Sequence, residues 1–242
     1  MTTLAVEEFD DRVVVTLHRP EARNAINAAM VAELHDVCAA LEAEPRLLLI
    51  TGAGGTFAAG ADIGELRDRG REQALQGINR AVFDRIAKLP LPAVAAVDGY
   101  ALGGGAELAY ACDVRLASPA AVFGNPEPGL GILAAAGACW RLRELVGASV
   151  AKQVLLAGRR LDADDALRFG LVAEVVPAEK LLERAHAVLD RMARSGPLAL
   201  RLTKLVADGG GHPLTDDLAQ AILFESDDKR ARMDAFLAGG RS

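Results

Sequence analysis

The order in which short apolar runs alternate with helix-like stretches constrains this chain most. Residues 47–50 (Leu-Leu-Leu-Ile) and 93–97 (Ala-Val-Ala-Ala-Val) are wholly apolar and too short for helices, the pattern of strands covered on both faces. Between and around them lie helical signals. Met30, Val31, Leu34, Val37 and Leu41 recur at helical spacing over residues 28–41, and a charged helical run covers 65–71. A further helix over 73–88 is bounded by Pro90 and Pro92. A helix ending near Cys112 precedes another strand at 113–117. Ahead of all this, the β-prone runs 4–8 and 13–17 flank Asp10-Asp11 and read as a hairpin. After the hairpin the order is helix, strand, helix, strand, helix, strand. Such alternation implies parallel strands joined by crossover helices, with ligand-binding loops at the carboxyl ends of the strands.

From Ala136 onward the pattern turns mostly helical, with helices expected at 141–145, 149–157, 163–169, 181–194, 197–207 and from 214 on. Only 171–176 reads as a strand, and Asp208-Gly209-Gly210-Gly211 reads as a hinge before the tail. The division expected is a core over residues 1–190 and a helical C-terminal region over 191–242. That region folds back on its own chain or onto a neighbouring subunit.

Composition narrows the partners. Of 242 residues, 51% are apolar and 25% charged, which excludes a disordered chain. The net charge of -6 comes with scattered basic residues, so no clustered nucleic-acid-binding face is expected. No apolar run approaches the ~20 residues that span a bilayer, and the N-terminus lacks a signal-peptide pattern. A cytoplasmic protein without membrane partners is the expectation. Cys38, Cys112 and Cys139 lack metal-ligand or redox spacing and read as reduced core thiols.

Two stretches at strand ends carry the chemistry. In Gly103-Gly104-Gly105-Ala106-Glu107, glycines at a helix mouth let backbone N–H groups approach a ligand atom. Glu107 follows Gly104 by about one helical turn, so its carboxylate can stand beside whatever that amide polarises. A second carboxylate, Glu127, follows in Gly124-Asn125-Pro126-Glu127. The small residues of Phe57-Ala58-Ala59-Gly60-Ala61-Asp62-Ile63 fit either a ligand's approach to the backbone or a tight turn. There is no G-x-x-x-x-G-K-[ST], no G-x-S-x-G, no dinucleotide fingerprint and no H-E-x-x-H. Carboxylates and backbone amides remain.

Over nearly its whole length the chain resembles the crotonase, or enoyl-CoA hydratase/isomerase, superfamily. The resemblance rests on Arg19-Pro20-Glu21-Ala22-Arg23-Asn24-Ala25, on the 57–63 stretch, and on Gly99-Tyr100-Ala101-Leu102-Gly103-Gly104-Gly105. It continues in Phe123-Gly124-Asn125-Pro126-Glu127 and Ala166-Leu167-Arg168-Phe169-Gly170-Leu171-Val172. It implies a crotonase-like α/β fold, a ββα spiral core with a helical C-terminal region, assembled as homotrimers or as hexamers built from two trimers.

The resemblance further implies that the amides of Ala61 and Gly104 form an oxyanion hole for an acyl-CoA thioester. Glu107 and Glu127 match the carboxylate pair that, in hydratases, adds water across a trans-2-enoyl-CoA to give a 3-hydroxyacyl-CoA. Coenzyme A is then part of the substrate, lying over Ala22, Arg23 and Asn24 and along Ala59, Gly60, Asp62 and Ile63, with Gly103 and Ala135 also at the site. No other cofactor and no metal is implied. Isomerase relatives commonly keep only the second carboxylate, so retention of both favours hydration.

Two departures stand out. The lysines that the family often places after Ala-Asp-Ile and near the C-terminus are replaced by Gly64 and by Gly239-Gly240-Arg241, which leaves Arg23, Arg67 or Arg241 to grip the nucleotide. The loop after Glu127 reads Ala134-Ala135-Ala136-Gly137-Ala138-Cys139-Trp140, where the family commonly has Pro-Gly-Ala-Gly-Gly-Thr-Gln. The alternatives are a double-bond isomerase or other CoA-enolate enzyme, and a non-catalytic acyl-CoA-binding homologue.

Overall fold

In a computed structural model that describes residues 1–239, β1 (Leu4–Glu8) and β2 (Arg12–Leu17) form the expected antiparallel hairpin. Next come α1 (Ala28–Ala43), whose Asn27 side chain caps the Met30 amide at 2.9 Å, and β3 (Leu47–Gly52). Three short helices follow, α2 (Ile63–Arg67), α3 (Arg71–Gln76) and α4 (Ile78–Ala87), leading to β4 (Ala93–Val97). The two helices read from the sequence over 65–71 and 73–88 are thus divided differently. The chain breaks at 68–70 and again at Gly77, which takes φ 60°.

Beyond β4 lie β5 (Tyr100–Leu102), α5 (Gly104–Tyr110), β6 (Val114–Ala117) and β7 (Val122–Gly124). Then come α6 (Arg143–Ala157), kinked at Gly147, β8 (Leu161–Asp162), α7 (Ala163–Arg168) and β9 (Glu174–Val175). The main sheet runs β1-β2-β3-β4-β6-β9, parallel except at the hairpin; a second sheet, β5-β7-β8, stands apart from it. That second sheet has no counterpart in the sequence reading.

Alternate residues of the main sheet serve two apolar layers. Val15, Leu48, Ile50, Ala95 and Val97 pack in the cluster that holds Leu34 and Leu41 of α1 and Val82 and Phe83 of α4. Val14, Leu47, Leu49, Val94 and Leu116 face Leu181, Ala185 and Leu189 of α8 (Ala178–Ala193). Each fully buried Leu or Ile here contributes roughly 1.5–3 kcal/mol. The consequence is a sheet covered on both sides, whose strand ends are the free places for a ligand.

α8 continues past residue 190. α9 (Pro197–Asp208) is tied to the sheet by the buried Lys204, whose Nζ lies 2.7 Å from Asp113 Oδ2, while Asp113 also accepts the Ala93 amide. α10 (Leu214–Phe224) and α11 (Asp227–Leu237) complete the described chain and leave Leu214, Leu218, Ile222, Met233, Phe236 and Leu237 at least half exposed. Cys38 and Cys112 are buried, but Cys139 is exposed, which corrects the expectation of three core thiols. Cys139 sits on the turn of π-helix over Ala138–Leu142, where it and Trp140 are exposed while Ala138 and Leu142 are buried. Among the described residues no helix is long and apolar enough to cross a membrane.

Candidate active site

The small-residue stretch 57–63 crosses between two segments and is stitched to both. Ala58 donates to Tyr100 O and accepts from Leu102 N, while Ile26 donates to Gly60 O and accepts from Asp62 N. The Ile26 bonds engage the residues on either side of Ala61, so in this parallel bridge the N–H of Ala61 points away from Ile26. Gly104 opens α5, and its amide has no preceding turn to donate to. Neither amide has a backbone acceptor among the described residues. A Cβ built on Gly104 would lie 3.4 Å from Ala61 N, so both amides front one small volume.

Two glycines make this approach possible. A Cβ on Gly105 would stand 2.2 Å from Ala58 O, closer than any atom pair tolerates. Gly103 takes φ 50° and ψ -124°, a left-handed conformation that side chains avoid, and a Cβ there would meet Glu127 Oε1 at 2.9 Å.

Glu107 lies in the first turn of α5 and is almost fully buried. Its Oε1 accepts from the amides of Ala136 at 2.8 Å and Ala138 at 3.1 Å. Burial pushes its pKa up to about 7; the Ala138 and Ala136 amides and Arg141 oppose that rise, and the charge of Glu127 adds to it. Glu127 begins a turn of 3-10 helix after β7 and is also buried. Burial raises its pKa too, against its own backbone amide and the Asn125 side chain, and among the described residues its Oε2 has no hydrogen-bond partner.

Both carboxylates and both amides open into one cleft of about 500 Å³. Its wall includes Ala59, Gly60, Ala61, Ile63, Gly103, Gly104, Glu107, Glu127 and Ala135 from the sequence-based set. Ala22, Arg23, Asn24 and Asp62 do not line it. Asn24 is fully buried, its Nδ2 donating to Ala53 O and Thr56 O and its Oδ1 accepting from Arg19 N, so its side chain serves the loop. Asp62 caps α2 through the Gly64 and Glu65 amides and pairs with Arg19. Among the arginines considered for a nucleotide, Arg23 is exposed, Arg67 pairs with Asp68 at the surface, and Arg241 lies outside the described residues.

The structure adds residues that the sequence did not mark. Asn79 of α4 lines the cleft, and its Oδ1 accepts from Arg69 Nη1 at 3.0 Å. Because a guanidinium only donates, this bond fixes the Asn79 amide with Nδ2 on the opposite side. That nitrogen is buried, without a partner among the described residues, and 3.7 Å from the point a Gly104 Cβ would occupy. The amides of Ala136 and Ala138 were also missed, since a backbone donor has no residue signature. Trp140 is not part of the cleft wall; it is partly exposed, with the Arg141 guanidinium 5.3 Å from its ring centre. Among the described residues no group of three or more His, Cys, Asp or Glu side chains converges as a metal site.

The arrangement suits proton transfer beside a polarised oxygen: two free amides, and two carboxylates that burial pushes toward the protonated form, with the charge of Glu127 adding to the rise at Glu107. The chain matches the family model described as enoyl-CoA hydratase/isomerase over residues 10–229. It is 37% identical to a short-chain-enoyl-CoA hydratase of Clostridium acetobutylicum, covering 98% of this chain and 95% of that one. With a crotonyl-CoA hydratase of Syntrophomonas wolfei the identity is 38%, over 97% of this chain and 94% of the relative. The crystal structure of an enoyl-CoA hydratase from Bacillus anthracis superposes with a TM-score of 0.93 at 32% identity, over 98% and 97% of the two chains. The chain therefore belongs to the enoyl-CoA hydratase/isomerase family, and its fold is the crotonase fold.

Proposed function

We propose that this protein is an enoyl-CoA hydratase that adds water reversibly and syn across the double bond of a trans-2-enoyl-CoA. The observation that carries the reading is the presence of two buried carboxylates, Glu107 and Glu127, in the same cleft as two unpaired amides.

The amides of Ala61 and Gly104 hold the thioester oxygen and stabilise it more strongly as charge builds on it in the enolate. The carboxylates hold a water between them. Its oxygen bonds to C3, a proton is delivered to C2, and the C=C bond becomes C–OH and C–H with no change of overall oxidation state. A Glu107 pKa of about 7 keeps both protonation states within reach at neutrality, as a shared acid/base requires. CoA lies along Ala59 to Ile63, and no cofactor beyond it takes part. The protein works in the cytoplasm as a trimer or a pair of trimers, a reading supported by the exposed apolar residues of α10 and α11.

The test is loss of conjugated thioester absorbance when purified protein meets crotonyl-CoA and longer enoyl-CoAs. Glu107→Gln and Glu127→Gln should each lower kcat by about 100-fold or more with little change in KM. Unimpaired hydration in both variants would sink the mechanism. Conversion of a 3-enoyl-CoA by protein in which Glu107→Gln is harmless would select the isomerase instead, and tight binding without turnover would select a binding protein.

A further inference from the structure

Behind the carboxylate pair lies a buried polar chain that the hydration chemistry above does not use. Tyr110 stands one turn after Glu107 on α5, is buried, and its hydroxyl donates to Asn125 Oδ1 at 3.3 Å. Asn125 is buried too, two residues ahead of Glu127 in the same loop. Asn125 Nδ2 and Glu127 Oε2 are a donor and an acceptor, both sealed from solvent and both without a hydrogen-bond partner among the described residues. A buried donor or acceptor left unmade is a cost that pairing the two would remove.

We propose that Tyr110 and Asn125 are positioning residues for Glu127. The Tyr110 hydroxyl holds the Asn125 carbonyl, which turns the Asn125 amide N–H onto the Glu127 carboxylate. Only this amide orientation lets Oδ1 accept from the phenol while Nδ2 faces a carboxylate, because an ionised carboxylate only accepts. The chain also links the two elements that supply the acid/base groups: α5 carries Glu107 and Tyr110, and the turn after β7 carries Asn125 and Glu127. Glu107 accepts from two fixed backbone amides, whereas Glu127 has its own backbone amide and, in this proposal, a side-chain donor whose aim depends on a phenol.

The other titratable groups coupled to Glu127 are Glu107, Tyr110 and Cys139. Arg141 acts on Glu107, and Arg115 on Tyr110. Burial is the first cause of the raised Tyr110 pKa, with both glutamates adding to it, so the phenol stays protonated and remains a donor.

This inference rests on the hydratase reading for its kinetic arm only. Asn125→Leu keeps the approximate shape and removes the donor; Tyr110→Phe removes one hydroxyl and is the variant safest to fold. Carboxyl carbon-13 NMR of glutamate-labelled protein, with the Glu127 signal assigned by Glu127→Gln, reads the titration directly. In Asn125→Leu the Glu127 carboxyl should titrate at higher pH than in the wild type, and Tyr110→Phe should move it the same way by less. With crotonyl-CoA, the acid limb of the kcat/KM profile should move up and kcat fall about 10-fold at constant KM. A Glu127 titration unchanged in folded Tyr110→Phe and Asn125→Leu overturns the proposal whatever the enzyme's activity. A wild type that hydrates no enoyl-CoA overturns the functional reading, and the NMR titration still judges the pair.

Discussion

Arg141 Nη2 lies 2.7 Å from Asp84 Oδ1, and this ion pair joins the segment that feeds amides to Glu107 to α4, the helix that walls the cleft. Arg141 also reaches Ala136 O, in the same turn as the Ala136 and Ala138 donors. Arg141→Met should loosen that turn and lower kcat about 10-fold, with a smaller effect on KM. Arg141 also opposes the rise in the Glu107 pKa, so Glu107 should titrate higher in the variant. Steady-state kinetics across pH would read both effects; an unchanged kcat would mean the turn holds itself.

Glu107 costs stability at neutral pH. Its carboxyl ionises near 4.5 when unperturbed and near 7 in the folded protein, chiefly because burial penalises the charge. The folded state therefore binds the proton more tightly than the unfolded chain, and the contribution falls as pH rises from 4.5 to 7, then stays level. Glu107→Gln removes that loss. The variant should be more stable than the wild type at pH 8, by up to about 3 kcal/mol, with the difference shrinking toward pH 4.5. Urea unfolding at the two pH values measures it, and a constant difference would contradict this account.

Gly105 has no room for a side chain. With Ala58 O 2.2 Å from the Cβ position, Gly105→Ala must push the 57–63 stretch away from α5. The expected cost is about 3 kcal/mol or more, together with loss of activity, because the same shift separates Ala61 from Gly104. Thermal unfolding and crotonyl-CoA turnover should fall together. Normal stability with lost activity would place the fault elsewhere.

The proposed trimer uses the apolar residues left open on α10 as a subunit interface. Light scattering should give a mass of three chains or a multiple of three, and a Leu218→Asp, Ile222→Asp double variant should shift it toward one. A wild type that stays a monomer at micromolar concentration would remove the reading of these helices as a subunit interface.

Much of the main sheet was legible because its signals are strong and local. The hairpin follows from β-prone runs around a turn, α1 from helical spacing, and β3 and β4 from short unbroken apolar runs that are buried on both faces. β5, β7 and β8 are only two or three residues long, β5 stopping just before Gly103 and β7 ending at Gly124, so no period can develop. The breaks near 68–70 and at Gly77 were masked by helix-forming neighbours. At the site, Glu107 and Glu127 could be singled out as carboxylates beside glycines. Asn79 could not, because a polar residue on a helix reads as solvated until the packing of α4 buries it. Tyr110 and Asn125 meet only through tertiary folding, 15 residues apart.

The Ala61 and Gly104 donors belong to the main chain, held by the Ile26 and Ala58 bridges and by the start of α5. Replacing the alanine side chain does not delete its N–H, whereas one base change can convert either glutamate into something inert. The polarising half of this cleft therefore depends on the neighbouring glycines rather than on any side chain at position 61, whereas the proton-handling half depends on the two carboxylates themselves. Under the proposed hydratase reading, a chain that lost Glu107 would keep both amides, leaving a scaffold on which a different second step could be built.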